Sequence, residues 1–453
     1  MTTSLALAAL RGGCELHLPG DADYDPARTP WNVAVDQRPA AVAIPRDVEQ
    51  VVAVVRAAVA DGLRVAPQST GHGAGPLGEQ VLDDVVLLRL SELTGVRVDP
   101  AARTATVLGG TLWQDVVAAA APHGLTAAHG SAPDVAVIGY LLGGGLSFYG
   151  RTHGVAANAV RAVRVVLADG SVVRADAEHH PDLFWAVRGG GANLGIVVEV
   201  EIDLLPYAEV FAGMLLWDRA RAAEVVPAWV AWTATAPESA TTALRIMSFP
   251  PLPELPPFLS GRDIVVVDGA ILADDDTAAD LLAPLRALSP EVDTFARIPA
   301  AGLLTVHMDP PVPTPVVGDH SVLGPLDAAG VAALLEQVGD GTAHGLMFAE
   351  LRHLGGAVAR PDAGGGALSH ILGEFGLLCV AVAPTPQAAV AGKAAAFHVV
   401  RAMSAWSRTN LIPTFAESRV DTGRFFDGED WARLCHVRDR YAPAAVFVAN
   451  HHL

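Results

Sequence analysis

The stretch Gln68–Gly75, QSTGHGAG, follows a short apolar segment and sets three glycines around His72. Glycines free the backbone to turn tightly, so several N–H groups can converge into a nest that holds a pyrophosphate without any lysine. His72 would then sit beside a phosphate-bearing cofactor. From this loop alone, an ordinary surface turn containing a histidine reads the same way. A second run, Gly130–Gly150 (GSAPDVAVIGYLLGGGLSFYG), places Gly143, Gly144 and Gly145 between apolar segments. That implies a backbone pressed against something flat or bulky. A third cluster is Gly189–Gly195, GGGANLG.

Several other chemistries fail on spacing. After Gly145, Leu146 and Ser147 the next glycine is Gly150, so the G-x-S-x-G turn of serine hydrolases is missed by one residue. Gly189–Gly195 contains G-x-G-x-x-x-G, but an alternating run, IVVEVEIDL, follows it. A dinucleotide fold needs a helix N-terminus there to face the phosphate, so NAD binding is rejected. Gly392 and Lys393 are followed by Ala394 inside a helical stretch, which excludes a P-loop. The sixteen histidines include no HExxH, and the pairs His179-His180 and His451-His452 read as solvated ends. Cys14, Cys379 and Cys435 lie far apart with no CxxC, against a disulfide framework or a cysteine zinc site. No metal is expected.

These loops need elements to hold them. Ala41–Pro45 suits a strand, Asp47 can cap a helix carrying Val48, Val51, Val52, Val55 and Val59, and Arg64–Gln68 reads as a second strand. The first glycine loop thus leaves a β-α-β unit. RAVRVVLADGSVVRA is a hairpin by its Asp169-Gly170 turn, and Gly195–Pro206 is a further strand. Beyond Pro206 the glycine motifs thin out, and strand-like runs such as DIVVVDGAIL alternate with alanine-rich helices to about residue 404. The last 50 or so residues carry a helix expected to end at Pro443, then VFVAN.

Composition bounds the partners. The chain has 453 residues, 51% apolar and 17% charged, with a net charge of −19 and Lys393 as its only lysine. That suits a globular protein with a large core, and argues against nucleic acid or an anionic membrane as partner. The N-terminal MTTSLALAALRGG lacks a basic residue ahead of its apolar run, so a cytoplasmic protein is expected, with oligomeric state open.

Taken together, YDPARTPWN with RPAAVAIPRDVEQVVAVVRAA, the glycine–histidine loop, GSAPDVAVIGYLLGGGLSFYGRTHGVAAN, DLFWAVRGGGANLGIVVEVEI and RDRYAPAAVFVANHHL resemble the FAD-linked oxidases of the vanillyl-alcohol oxidase and p-cresol methylhydroxylase superfamily, in its berberine bridge enzyme-like branch. The order and spacing of five segments carry the resemblance; residues 206–404 match only loosely. It implies an α+β fold: an FAD-binding domain of two α+β subdomains (1–205), an inserted substrate domain built on an antiparallel sheet backed by helices (206–404), and a C-terminal return (405–453). It implies that Ala66, Pro67, Gln68, Ser69, Thr70, Gly71 and Gly73 form the pyrophosphate loop, and that His72 bonds the flavin 8α-methyl group through a ring nitrogen. A neutral imidazole can add to the electrophilic methide tautomer of the flavin, and electron withdrawal makes FAD a stronger oxidant. Further FAD contacts by this likeness are Ser131, Pro133, Asp134, Val135, Gly139, Gly143, Gly144, Gly195, Ile196, Val197 and Asn450.

Two departures from the family's pattern matter. Relatives with a second link use cysteine in C-P-T-V, where this chain has Ala132, Pro133, Asp134 and Val135, so a single covalent link through His72 is expected. Val135 falls where the family places a small gate beside the flavin, and valine goes with oxygen access. Where relatives carry Tyr-x-Asn-Phe, this chain reads Ile412-Pro413-Thr414-Phe415 and lacks the tyrosine. The resemblance implies hydride transfer from a small-molecule C–H next to oxygen or nitrogen to flavin N5, with dioxygen reoxidising the flavin to give hydrogen peroxide. Alternatives are a dehydrogenase, a redox-neutral cyclising flavoenzyme, or a flavin-carrying binding protein without turnover. The base is expected from the sheet of the second domain, with His370 first, His307 next, and Glu350 and His353 also available; Glu350 next to Arg352 reads equally as a structural ion pair. Tyr140, three residues before the glycine triplet, is placed to reach the flavin.

Overall fold

Asp47 caps the helix Val48–Ala60, its carboxylate accepting from the Gln50 N–H at 2.8 Å. Val51 and Val55 of the expected stripe are fully buried together with Val54 and Ala58, whereas Val59 is exposed, so the buried face is rotated from the one the valine spacing marks. The computed structural model describes residues 13–453 apart from 252, 254–255, 257 and 443–444. The apolar N-terminal run through residue 12 and the expected helix end at Pro443 therefore lie outside the described residues.

The helix joins a four-stranded sheet of β1 (Glu15–His17), β2 (Ala41–Ile44), β3 (Arg64–Gln68) and β4 (Val85–Arg89), in the order β1-β2-β4-β3. Strands β2 and β3 run parallel to β4, and the helix is the crossover such pairing needs. The C-terminal chain returns to this sheet: the Val65 N–H donates to Val446 O at 2.8 Å, and the Val448 N–H to Val65 O at 2.9 Å.

A second, antiparallel sheet contains β5 (Val96–Asp99), β6 (Thr104–Leu108), β7 (Val160–Val166), β8 (Val172–Asp176) and β9 (Ile196–Asp203), ordered β5-β6-β9-β7-β8. The hairpin at Asp169-Gly170 joins β7 to β8, with Gly170 at φ +76°. The glycine cluster before β9 leads straight into a strand, so no helix dipole faces it.

The third sheet has eight strands, all antiparallel. Strands β10 (Glu209–Asp218), β11 (Ala240–Ser248), β12 (Asp263–Ile271), β13 (Val292–Asp293), β14 (Ala296–Pro299), β15 (Val316–Leu323), β16 (Phe348–His353) and β17 (Phe375–Val382) take the order β13-β10-β12-β11-β16-β17-β15, with β14 also on β10. One face is covered by the helices Ala222–Thr233, Asp275–Arg286, Ala328–Val338 and Pro386–Ala402, which share a core with Leu244, Val267, Leu351 and Leu377. The other face looks onto the first two sheets, and polar residues alternate toward it. Among the described residues no helix is long and apolar enough to cross a membrane.

Candidate active site

A cleft of about 2110 Å³, counting its open mouth, lies where the glycine loops of the first two sheets meet the bare face of the third. The loop after β3 forms one wall, contributing Pro67, Gln68, Ser69, Thr70, Gly71, His72 and Gly73. It is tightly held. Gln68 accepts from Arg89 at 2.5 Å and donates to Gln37 at 2.8 Å, Ser69 donates to Gly109 O at 2.8 Å, and Asn450 donates to Gly73 O at 2.6 Å. Gly71 adopts φ +84°, and a Cβ there would lie 2.6 Å from Pro30, so only glycine fits.

His72 stacks on Trp31 with ring centroids 4.2 Å apart and an interplanar angle of 19°. Its Nδ1 lies 2.9 Å from the Thr70 hydroxyl. Its Nε2 lies 3.2 Å from Asp134 Oδ1, out of hydrogen-bond alignment, and neither buried atom has another partner among the described residues.

The next wall is the segment 130–143, with Gly130, Ser131, Val135, Gly139, Tyr140 and Gly143 facing the cleft; Val197 and Gly189–Gly191 continue it, and Ala449, Asn450 and His451 close it. Tyr140 belongs to the short helix Val137–Leu142, and its ring meets Trp113 edge-on at 5.5 Å. Its hydroxyl is buried without a hydrogen-bond partner among the described residues, and burial pushes its pKa above the ordinary phenol value. It is therefore a hydrogen-bond donor awaiting an acceptor.

Eight residues expected at the cofactor or the reacting carbon do not line this cleft, His353 of strand β16 among them. Ala66 and Ile196 are fully buried in strand cores, and a Cβ on Gly195 would strike Val165 at 2.5 Å. Pro133 turns its carbonyl to the Gln114 N–H, and Asp134 stands behind His72. Gly144 closes on Leu368, so part of the bulk that the glycine triplet accommodates is the protein itself. His370 occupies a separate depression beside Asp427 and Asp430, 3.8 Å from the Asp427 carboxylate. Its segment is a loop pinned outside the sheet by Ala367 N–H to Trp185 O and Leu368 N–H to Arg188 O bonds.

Strand β16 carries the opposite wall. Phe348, Glu350 and Arg352 face the cleft, while Leu351 belongs to the helix-backed core, as strand alternation requires. His353 also lies on the core side among Trp229, Trp232 and Phe375, where burial pulls its pKa down to about 2. It is not available to the site.

His307 is not on a strand; it follows the turn of helix Ala300–Thr305 and enters the cleft beside Asp309. Met308 between them takes φ +57° and is exposed, while His307 and Asp309 on either side line the cleft. His307 Nδ1 lies 2.9 Å from Asp268, and Nε2 lies 3.6 Å from Glu350. Arg352 donates to Glu350 at 2.6 Å, and Arg245 bonds Asp268. Burial and Arg245 oppose a charge on His307, but Asp268 and Asp309 outweigh them and push its pKa up to about 9. Burial likewise opposes the Glu350 charge, yet Arg352, His307 and Arg245 hold its carboxyl well below the usual range.

Several of these residues were not singled out from sequence. Asp268 and Arg245 had a signal: each is a charge in the interior of a strand run with apolar neighbours, Asp268 after Ile264–Val267 and Arg245 between Leu244 and Ile246. Asp309, Glu417 and Trp31 had none. Glu417 lines the cleft, accepts a long 3.4 Å bond from Asn32, and burial pushes it up to about 7. His451, read as part of a solvated end, lines the cleft edge-on to Phe425 at 4.8 Å, and burial lowers it to about 4. Ile412 is fully buried, its N–H donating to His320 at 3.2 Å, so only Pro413, Thr414 and Phe415 of that segment reach the cleft.

Residues 39–176 match the family described as FAD binding domain. Over 205 residues the chain is 34% identical to (R)-6-hydroxynicotine oxidase of Paenarthrobacter nicotinovorans, covering 45% of this chain and 44% of that protein. It is 35% identical over 197 residues to glucooligosaccharide oxidase of Sarocladium strictum, covering 43% and 39%. The matched region thus spans less than half the length of these relatives. In fold the likeness extends over nearly the whole chain. Wild-type BBE-like 1 of Physcomitrella patens superposes with a TM-score of 0.83 at 21% identity, covering 98% of this chain and 97% of the other. 6-Hydroxy-D-nicotine oxidase from Arthrobacter nicotinovorans gives 0.81 at 22% identity, covering 96% of each.

Proposed function

We propose that this chain, which carries an FAD binding domain within the fold of the berberine bridge enzyme-like flavoproteins, is an FAD-dependent oxidase acting on a small molecule. The observation that carries the reading is one cleft walled by glycine-rich backbone on one side and by a buried charge cluster on the other. FAD, when bound in this cleft, would supply the two-electron chemistry, hydride abstraction from a substrate C–H beside oxygen or nitrogen with dioxygen as the acceptor that yields hydrogen peroxide.

The residues present fit that group. The loop Pro67–Gly73 offers backbone to a pyrophosphate, His72 on that loop lines the cleft and is the residue we assign to a single covalent link, and the unpartnered Tyr140 hydroxyl suits an acceptor on the cofactor or substrate. Across the cleft, Glu350 is the group we assign to the substrate proton. Arg352 and His307 keep it anionic, which makes it a weak base. Weakness is tolerable because an O–H or N–H turns strongly acidic as hydride leaves the neighbouring carbon. His307, held cationic at neutral pH, positions Glu350 and leaves the base role to the carboxylate.

The test is peroxide production over a panel of phenols, sugars and cyclic amines, followed by anaerobic flavin bleaching with the best substrate. Glu350→Gln should slow bleaching by roughly 10²–10⁴-fold while retaining FAD. Bleaching with no peroxide would make the protein a dehydrogenase, and neither signal on any substrate would sink the oxidase reading.

A further inference from the structure

The back of His72 is built as carefully as its front. Asp134 reaches it from the segment that carries a cysteine in doubly linked relatives. One carboxylate oxygen, Oδ2, accepts from the Trp31 indole N–H at 2.6 Å, which fixes the carboxylate. The other, Oδ1, lies 3.2 Å from His72 Nε2. Both atoms of that pair are sealed from solvent and have no other hydrogen-bond partner among the described residues. The same Trp31 lays its ring on the imidazole, and its backbone N–H donates to Thr70 O at 2.9 Å, so the tryptophan is anchored to the loop it supports. Asp134 itself is held below the usual carboxylate range: burial works against its charge, and His72 and Trp31 outweigh burial.

We propose that Asp134, held by Trp31, is the positioning residue that selects the His72 tautomer and nitrogen for flavin attachment; this rests on the covalent link proposed above. A carboxylate oxygen 3.2 Å from Nε2 favours the proton there electrostatically even without an aligned hydrogen bond, because an acceptor-only group attracts an N–H and repels a lone pair. The lone pair is then on Nδ1, where the Thr70 hydroxyl can donate to it until it reacts. Nε2 is sealed from solvent, so a cofactor carbon in the cleft cannot reach it without moving the ring.

Attachment forms an Nδ1–C8α bond and breaks one methyl C–H bond. The electron pair of that C–H reduces the isoalloxazine ring by two electrons, its proton leaves to solvent, and dioxygen reoxidises the ring to give hydrogen peroxide. The product is an imidazole alkylated at Nδ1 that still carries a proton on Nε2, and therefore a cation. Asp134 balances that charge directly, and the Trp31 face adds cation–π attraction.

The experiment follows incorporation of FAD into full-length protein made under riboflavin starvation, reading acid-stable flavin on the protein against time. Wild type should give one flavin per chain, on the His72 peptide, bonded through Nδ1. Asp134→Asn should slow attachment about 10–100-fold, taking as the scale the loss when the carboxylate that orients a metal-bound histidine is removed, while FAD still binds reversibly. Asp134→Glu should recover part of the rate. Trp31→Phe, which keeps the stacked ring and loses the indole N–H, should fall between them, and it decides the matter if the Asp134 variant does not fold. Attachment at the wild-type rate in Asp134→Asn or Trp31→Phe, or a bond at Nε2, overturns the assignment. A wild-type protein that releases all its flavin in acid overturns the covalent link itself, and this inference with it.

Discussion

His72 concentrates the consequences of single residues. Replacing it by alanine removes the proposed point of flavin attachment but leaves the loop backbone, Gln68, Ser69 and Asn450 in place. The variant should bind FAD, release it on acid denaturation, and show a lower flavin reduction potential than wild type in a dye-equilibration titration. Val135 invites a second test at this scale. It is partly buried against the core, faces the cleft, and its carbonyl accepts from the Trp113 N–H at 3.0 Å, so its backbone is fixed and only its bulk varies. Val135→Ile should slow reoxidation of reduced flavin by air and leave anaerobic reduction nearly unchanged. Equal losses in both half-reactions, seen by stopped flow, would show that Val135 supports the ring instead of gating oxygen.

At the scale of elements, the turn after the helix Val137–Leu142 decides where Tyr140 points. Gly145 takes φ +78°, and a Cβ there would lie 2.4 Å from the Tyr140 ring. Gly145→Ala should therefore cost at least about 1–2 kcal/mol from the left-handed backbone alone and displace the tyrosine. Lower thermal stability together with weaker FAD retention is the expected pair of results; a loss of stability with unaltered FAD affinity would detach Tyr140 from the cofactor. Much of this scale was legible beforehand. The helix after Asp47, strands β3 and β9 and the Asp169-Gly170 hairpin follow from apolar spacing and turn chemistry, both local. The positions of His307 and His370 were not legible, because a sheet was expected to present them. Both lie on connecting segments whose course depends on contacts with distant carbonyls and carboxylates.

The whole molecule places a charge cluster between its second and third sheets, and this couples stability to pH. Folding raises the His307 pKa from 6.5 to about 9. Its contribution is therefore complete below about pH 6.5 and is lost as pH rises through about 9. Folding lowers the pKa of Glu350 from 4.5 and of Asp268 from 3.8, so their contributions are present above those values and drain away as pH falls below them. The cluster should thus stabilise the fold most between about pH 5 and 6.5. Thermal melts from pH 5 to 10 should show an alkaline decline that His307→Gln flattens; an unchanged alkaline limb in that variant would place the titrating group elsewhere.

By itself the sequence determined three glycine-rich loops, His72 at the centre of one of them, the β-α-β unit before it and the Asp169-Gly170 hairpin; that these belong to an FAD-binding α+β fold with an antiparallel sheet in its second part was implied by the resemblance of five segments to a known family. Those properties are written in short segments, where turn residues and alternation act within a few positions. It also determined that Glu350 and Arg352 share one strand face, since a strand's period is two. Only the tertiary structure decided which face meets the cleft, because that depends on which side the four helices cover. It alone brought Asp268, Arg245, His307 and Glu350 together from four separate segments, and set Trp31 and Asp134 behind His72 across 103 residues of chain. Side chains so far apart in sequence carry no mutual signal in a single chain; their meeting is a property of packing.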